Sequence, residues 1–187
     1  TSNLLLKNIK EKTNLLAFKT TITAASNAGA DIRQINITEH LSDELRFVGY
    51  CFATFYGLKC IFEFEHENPA DVIIVDRSQA STFAQNICAA TVPSMVKNNM
   101  VNIFRNLENE FRSKYQNRFS HVYLYMDPVK ALDRIARNRQ ALDVLESRGV
   151  EYQRSIARGY ESYYRNFDSK DLLTFNMETV ANEVVVN

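Results

Sequence analysis

Residues 71 to 86 read DVIIVDRSQASTFAQN. Four aliphatic residues, Val72 to Val75, run directly into an acid and a base, Asp76 and Arg77, and then into a small polar group. A short, wholly apolar run of this kind is the pattern of a strand covered on both faces, as in the middle of a parallel sheet. Asn68-Pro69 supplies the break before it. In open α/β sheets ligands gather beyond the carboxyl ends of the strands, where this one presents Asp76 and Arg77. An acid there can hold Mg²⁺ or accept the proton of an attacking hydroxyl, and an arginine can grip a phosphate with its planar fork of donors. The ordinary alternative is a salt bridge that caps the strand.

The surrounding pattern alternates helices with strands. Ser2 to Lys12 carries leucines at helical spacing. Ala17 to Ala24 is rich in β-branched residues and reads as a strand, and Ser26 to Thr38 reads as irregular. From Ser42 to about Phe64 a run dense in aromatic residues predicts a helix buried on more than one side. Helices are expected over Ala80 to Ala89, from Pro93 to about Tyr115, over Val129 to Arg139 and over Glu151 to Arg165. Val122 to Tyr125 and Leu172 to Phe175 read as strands, with a short helix to close the chain. Strands separated by helices imply an α/β domain with a parallel sheet.

The chain has 187 residues, enough for one domain with a sizeable core, and its 22 basic residues balance its 22 acidic ones. No global field therefore selects nucleic acid or an anionic membrane, and no apolar run in the sequence approaches a membrane span. Cys51, Cys60 and Cys88 are odd in number and set among apolar residues, which suits buried thiols in a reducing, cytoplasmic compartment. His40, His66 and His121 are scattered and do not have zinc-ligand spacing.

A second constellation lies between Lys130 and Arg165, where bases outnumber acids and Arg134, Arg137 and Arg139 cluster. Phosphoryl transfer needs positioned cations of this kind. A solvated helix face carrying i, i+4 ion pairs is the other reading.

Taken together, the two stretches resemble the thymidylate kinase branch of the P-loop nucleotide kinases. Asp76-Arg77-Ser78 with Ser81, Thr82 and Ala84 looks like the family's Asp-Arg motif and the helix after it. VYLYMDP looks like its next strand and turn, and ALDRIARNR like the start of its arginine-bearing lid. LESRGVEYQRSIARGY is similar to the lid's far side, with Glu146, Gly149, Tyr152, Gly159 and Tyr160 in register, and LLTFNMETVANEVV to the closing strand and helix. The likeness runs from about Asp71 to the end of the chain.

The resemblance implies an α/β, three-layer P-loop kinase fold, with a parallel sheet flanked by helices and a helical arginine lid over about 137–150. It implies ATP-dependent phosphoryl transfer to a nucleotide or nucleoside, with ATP and Mg²⁺ as cofactors. Asp76 would lie by the metal and reacting phosphates, Arg77 would hold the acceptor phosphate, and Ser78 and Ser81 would face the acceptor. Arg134, Arg137 and Arg139 would close over the donor phosphates, and closure would exclude water.

The family's phosphate-binding loop, GxxxxGK[ST], does not occur in the sequence. Thr1-Ser2 followed at once by an amphipathic helix is what remains when a chain is cut just after that loop's lysine. Thr1 would then be a hydroxyl ligand of Mg²⁺, with Thr1 and Ser2 at the donor phosphates. TITAASNAGAD does not match the family's acceptor-recognition segment, and the arginine expected in the next helix has no clear counterpart, Arg33 and Arg46 being the available substitutes. The alternatives are a non-catalytic kinase-like binding subunit and a P-loop kinase acting on nucleic-acid ends. The aromatic helix suits a homodimer interface as readily as a core.

Overall fold

The computed structural model describes residues 2–38, 40–115, 120–138, 148–165, 167 and 171–178. Thr1, Arg139, Glu146, most of the expected lid and the expected closing helix lie outside the described residues. The elements run α1 (Ser2–Lys12), β1 (Ala17–Thr21), α2 (Asn27–Thr38), α3 (Asp43–Glu67), β2 (Val72–Asp76), α4 (Gln79–Phe83), α5 (Ser94–Tyr115), β3 (His121–Tyr125), α6 (Pro128–Asn138), α7 (Val150–Tyr164) and β4 (Leu172–Asn176).

The expected three-layer P-loop kinase sheet is not what the chain forms. Among the described residues the protein is mostly helical, and its strands make two separate parallel pairs, β1 with β2 and β3 with β4. Among the described residues β2 has a neighbour on one side only, and all five of its residues are half-buried. Its aliphatic run is therefore not that of a strand enclosed between two others. Ile73 and Val75 instead pack onto a cluster built from Ile22, Leu58, Ile61 and Phe111.

Two local expectations also change. The segment from Ser26 is not irregular: Ser26 Oγ accepts the Gly29 amide at 3.0 Å and so caps α2 in the way a serine N-cap does. Packing of α2 along α3 then outweighs the weak helix propensity of its asparagines, glycine and threonine. The first strand stops at Thr21, because Ile22–Ala24 turns as a short 3₁₀ segment that drives the Ile22 side chain under α3.

The long aromatic helix α3 forms as expected, capped by Ser42 Oγ accepting the Leu45 amide at 3.3 Å. Its inner face joins two clusters. Phe47 and Cys51 pack with Phe83, Ile87, Phe104 and Tyr163, while Leu58 and Ile61 pack with Ile22 and Phe111. Phe55 touches both Phe104 and Phe111, at ring separations of 5.6 and 6.1 Å. Within the first cluster lies a polar knot. Glu108 is only 3% exposed; it takes a 2.7 Å bond from Arg105, a 3.4 Å bond from Arg112 and a bond from the Tyr163 hydroxyl. A buried carboxylate persists only when held by such partners.

Between α4 and α7 the helix widens. Ala84–Cys88 forms one π turn directly after α4, and Gly159 of α7 packs into it so closely that a Cβ there would stand 2.7 Å from Ala84 Cα. At Gly57 of α3 a Cβ would meet the Ile22 carbonyl oxygen at 1.9 Å. Neither backbone can retreat without moving a helix. Gly57→Ala and Gly159→Ala are each expected to lower unfolding free energy by about 3 kcal/mol, the upper end for overpacking. Urea denaturation checks this, with the loss appearing in the midpoint and an unchanged slope.

Candidate functional site

The parallel register pairs Thr21 with Asp76, so β1 and β2 end together. The start of α1 comes to the same end. Ser2 Oγ donates to Asp76 Oδ2 at 2.9 Å, the Lys19 ammonium lies 3.6 Å from that same oxygen, and Lys19 also donates to Asn3 Oδ1 at 2.6 Å. A carboxylate, a hydroxyl and an ammonium therefore converge where the strand ends. Asp76 and Ser2, singled out in the sequence from opposite ends of the motif, are brought together. Lys19 has no counterpart in that reading, since a single base inside a strand carries no signal of its own.

Arg77 comes next with φ at 78°, the only non-glycine residue with positive φ among those described. For a long side chain this left-handed backbone costs on the order of 1–3 kcal/mol, and such strain persists where neighbours enforce it. The enforcing contacts come from α7. Tyr160 donates its hydroxyl to Ser81 Oγ at 2.9 Å, and the Tyr164 hydroxyl lies 3.5 Å from Ser78 Oγ. Ser78 and Ser81 thus anchor the turn that aims Arg77.

Two more arginines approach. Burial raises the Tyr50 phenol above its ordinary pKa, while the charges of Arg33, Arg46 and Arg77 act to lower it. The charges of three arginines, from α2, α3 and the β2 end, thus reach the Tyr50 phenol. The Arg46 Nε is buried and has no hydrogen-bond partner among the described residues.

Beside this end opens a cavity of about 520 Å³, within the range of small-molecule sites. Ile73 and Val75 of β2 form one wall, β3 another, and α6 and α7 the rest; Arg77, Ser78 and Ser81 stand at its polar side. Its floor is aromatic. Tyr123 stacks on Tyr160 at 5.4 Å and packs against Tyr164 at 5.3 Å. Burial pushes the Tyr123 phenol up to about 12, helped by Glu161 and the neighbouring phenols, and burial also raises Tyr164. Both hydroxyls stay protonated at neutral pH. These tyrosines are spaced as core residues in the sequence, and only the fold shows that they line an opening.

The lid arginines fare differently. Leu132 and Ile135 of α6 turn into the cavity, whereas Arg134 and Arg137 are exposed and do not line it. Arg139 lies outside the described residues, as does Thr1. No group of three or more His, Cys, Asp or Glu that could hold a metal ion exists among the described residues. Mg²⁺ does not require one, because it binds through one or two carboxylates and substrate phosphates and keeps several waters. Asp76 and Ser2 fit that pattern.

Arg77→Gly is expected to be about 1 kcal/mol more stable than Arg77→Ala, because only glycine adopts the left-handed backbone without strain. Urea denaturation of the two variants side by side reads the difference. His121, at the cavity wall, has its imidazole pKa pushed below the ordinary 6.5 by burial and by Arg112, against the pull of Glu108 and Asp171. Below 6.5 the unfolded chain takes up a proton that the folded chain resists, so His121 costs stability as pH falls through that value toward its folded pKa. The urea midpoint should therefore drop between about pH 6.5 and 5, and His121→Gln should flatten the decline.

Scanned against protein-family models and against curated proteins, the chain finds no match.

Proposed function

We propose that the protein is an ATP-dependent phosphotransferase whose acceptor is a nucleotide or nucleoside. The observation that carries this reading is the strained Arg77 beside Asp76, with the Ser2 hydroxyl on that carboxylate. Phosphoryl transfer is catalysed by positioning and by charge, and these are the groups it uses. Asp76 and Ser2, with Thr1, would hold Mg²⁺, which supplies neutralisation of phosphate charge when bound. Arg77, Arg33 and Arg46 would hold the acceptor's phosphate, and Ser78 and Ser81 keep Arg77 aimed. The stacked tyrosines give a flat, apolar wall suited to a base. Arg134 and Arg137, exposed on α6, would meet the donor phosphates outside the cavity.

The three cysteines are free, Cys51 being buried with its thiol pushed up to about 12. Unreactive thiols of this kind suit the reducing cytoplasm as the place of action. Contrary to the reading of the sequence, α3 has, alone among the described residues, the length and apolar character to cross a membrane, though its inner face is part of the core.

A coupled assay with ATP, Mg²⁺ and a panel of nucleosides and nucleoside monophosphates tests the reading. Transfer to at least one acceptor is expected, with Asp76→Asn lowering kcat by roughly 10²–10³ at unchanged fold. Arg77→Ala should instead raise the acceptor's KM. Saturable nucleotide binding without transfer to any acceptor would replace catalysis with a binding role.

A further inference from the structure

We propose that the carboxamide of Gln79 reads the edge of the acceptor's base in the cavity, through one donated and one accepted hydrogen bond. This role rests on the proposed function at one point: the cavity receives the acceptor. Gln79 is the first residue of α4, two places after Arg77, and it lines the cavity while only 4% exposed. No group among the described residues hydrogen-bonds its carboxamide.

A polar side chain so deeply placed is normally paired, because a buried donor or acceptor without a partner costs stability. The carboxamide is also not walled in. Among the described side chains, Arg46 Nε is the one polar atom both sealed from access and unbonded, so the Gln79 amide keeps an opening. With the rest of the residue enclosed, that opening is the cavity it lines.

Its neighbours fix the direction. Thr82, one turn further along α4, shares a 2.7 Å hydrogen bond with Thr54 of α3, which sets this side of α4 against α3. Leu58, one turn beyond Thr54, lines the same cavity together with Ile22, Ile73 and Val75. Gln79 thus places a carboxamide beside an aliphatic wall. Methionine would fill the same space with no strongly polar atom to satisfy, so packing alone does not call for a glutamine here.

A carboxamide presents an acceptor and a donor side by side. Every nucleobase has an edge with the complementary pair, a ring nitrogen next to an exocyclic oxygen or amino group, and glutamine can engage such an edge through two bonds at once. Ring faces for stacking stand in the same cavity, since Tyr123 and Tyr160 lie nearly parallel, 25° apart. Among the described lining residues there is no carboxylate, and Arg77 is the one permanent charge. A neutral heterocycle therefore suits the interior, and the Gln79 carboxamide is placed to test its edge.

Calorimetric titration without ATP tests the proposal. The probes are the monophosphates of uridine, guanosine, adenosine and cytidine, each beside the analogue whose donor nitrogen on the base-pairing edge is fully methylated and whose base stays uncharged. The wild-type protein is expected to bind at least one parent about tenfold or more tightly than its analogue. Gln79→Met should abolish that preference while its urea midpoint stays equal or rises, as follows when an unpaired buried amide is removed. A wild-type protein indifferent to the methyl groups, or a preference that survives in Gln79→Met, overturns the proposal. So does a fall in the midpoint, which would give the carboxamide a structural partner. Because binding is read apart from transfer, the two readings fail separately. Binding governed by Gln79 in a protein that transfers no phosphate keeps this role and removes the phosphotransferase reading; transfer with the preference intact in Gln79→Met does the reverse. A protein that binds none of the probes loses both.

Discussion

The structure hangs on α3. Its inner residues enter both main hydrophobic clusters, and Phe55 bridges them by touching a ring in each. Each large side chain buried there contributes about 2 kcal/mol, but the geometry matters more than the sum. Because Gly57 lets the helix lie directly on the Ile22 carbonyl, the turn after β1 is fixed, and with it the end of β1. The register of β1 with β2 then fixes where Asp76 stands. A packing constraint some distance from the polar site thus sets the position of its carboxylate.

The other half of that site is held from α7. Tyr160 and Tyr164 reach the serines that come after Arg77, and Gly159 beside them keys α7 into the π turn after α4. π turns recur at functional positions because they displace a helix face without ending the helix. Here the displacement admits α7 closely enough for two phenols to pin the turn, which is what allows an arginine to remain in a left-handed backbone. Strain at the site and close packing behind it are one arrangement.

Much of this is legible in the sequence, and what is not fails for physical reasons. Long periodic elements such as α3, α5 and α7 read nearly to their ends, and Asp76 with Arg77 falls at a strand end as expected. The sheet is misread because VIIV carries no information about what covers it: helices and a 3₁₀ turn satisfy an aliphatic run as well as flanking strands do. α2 escapes notice because its interior is made of weak helix formers, although Ser26 offers a capping signal three residues before Gly29. Lys19, Tyr123 and Tyr164 are invisible as site residues, since their roles arise from which elements meet. Arg134 and Arg137 stand out by composition, yet α6 turns its apolar side to the cavity and leaves them outside.

Among the described residues the two strand pairs do not join. Among the described residues β2 pairs only with β1 and β3 only with β4, and both bound the same cavity. Strand edges left in this way present a row of backbone N–H and C=O groups. Those groups belong to every residue type alike, except for the amide that proline lacks. The cavity therefore has two kinds of polarity with different evolutionary fates. Its charges and hydroxyls can drift by single substitutions, while the peptide groups along its walls persist through nearly all of them, a chemical constant around which specificity can be rewritten.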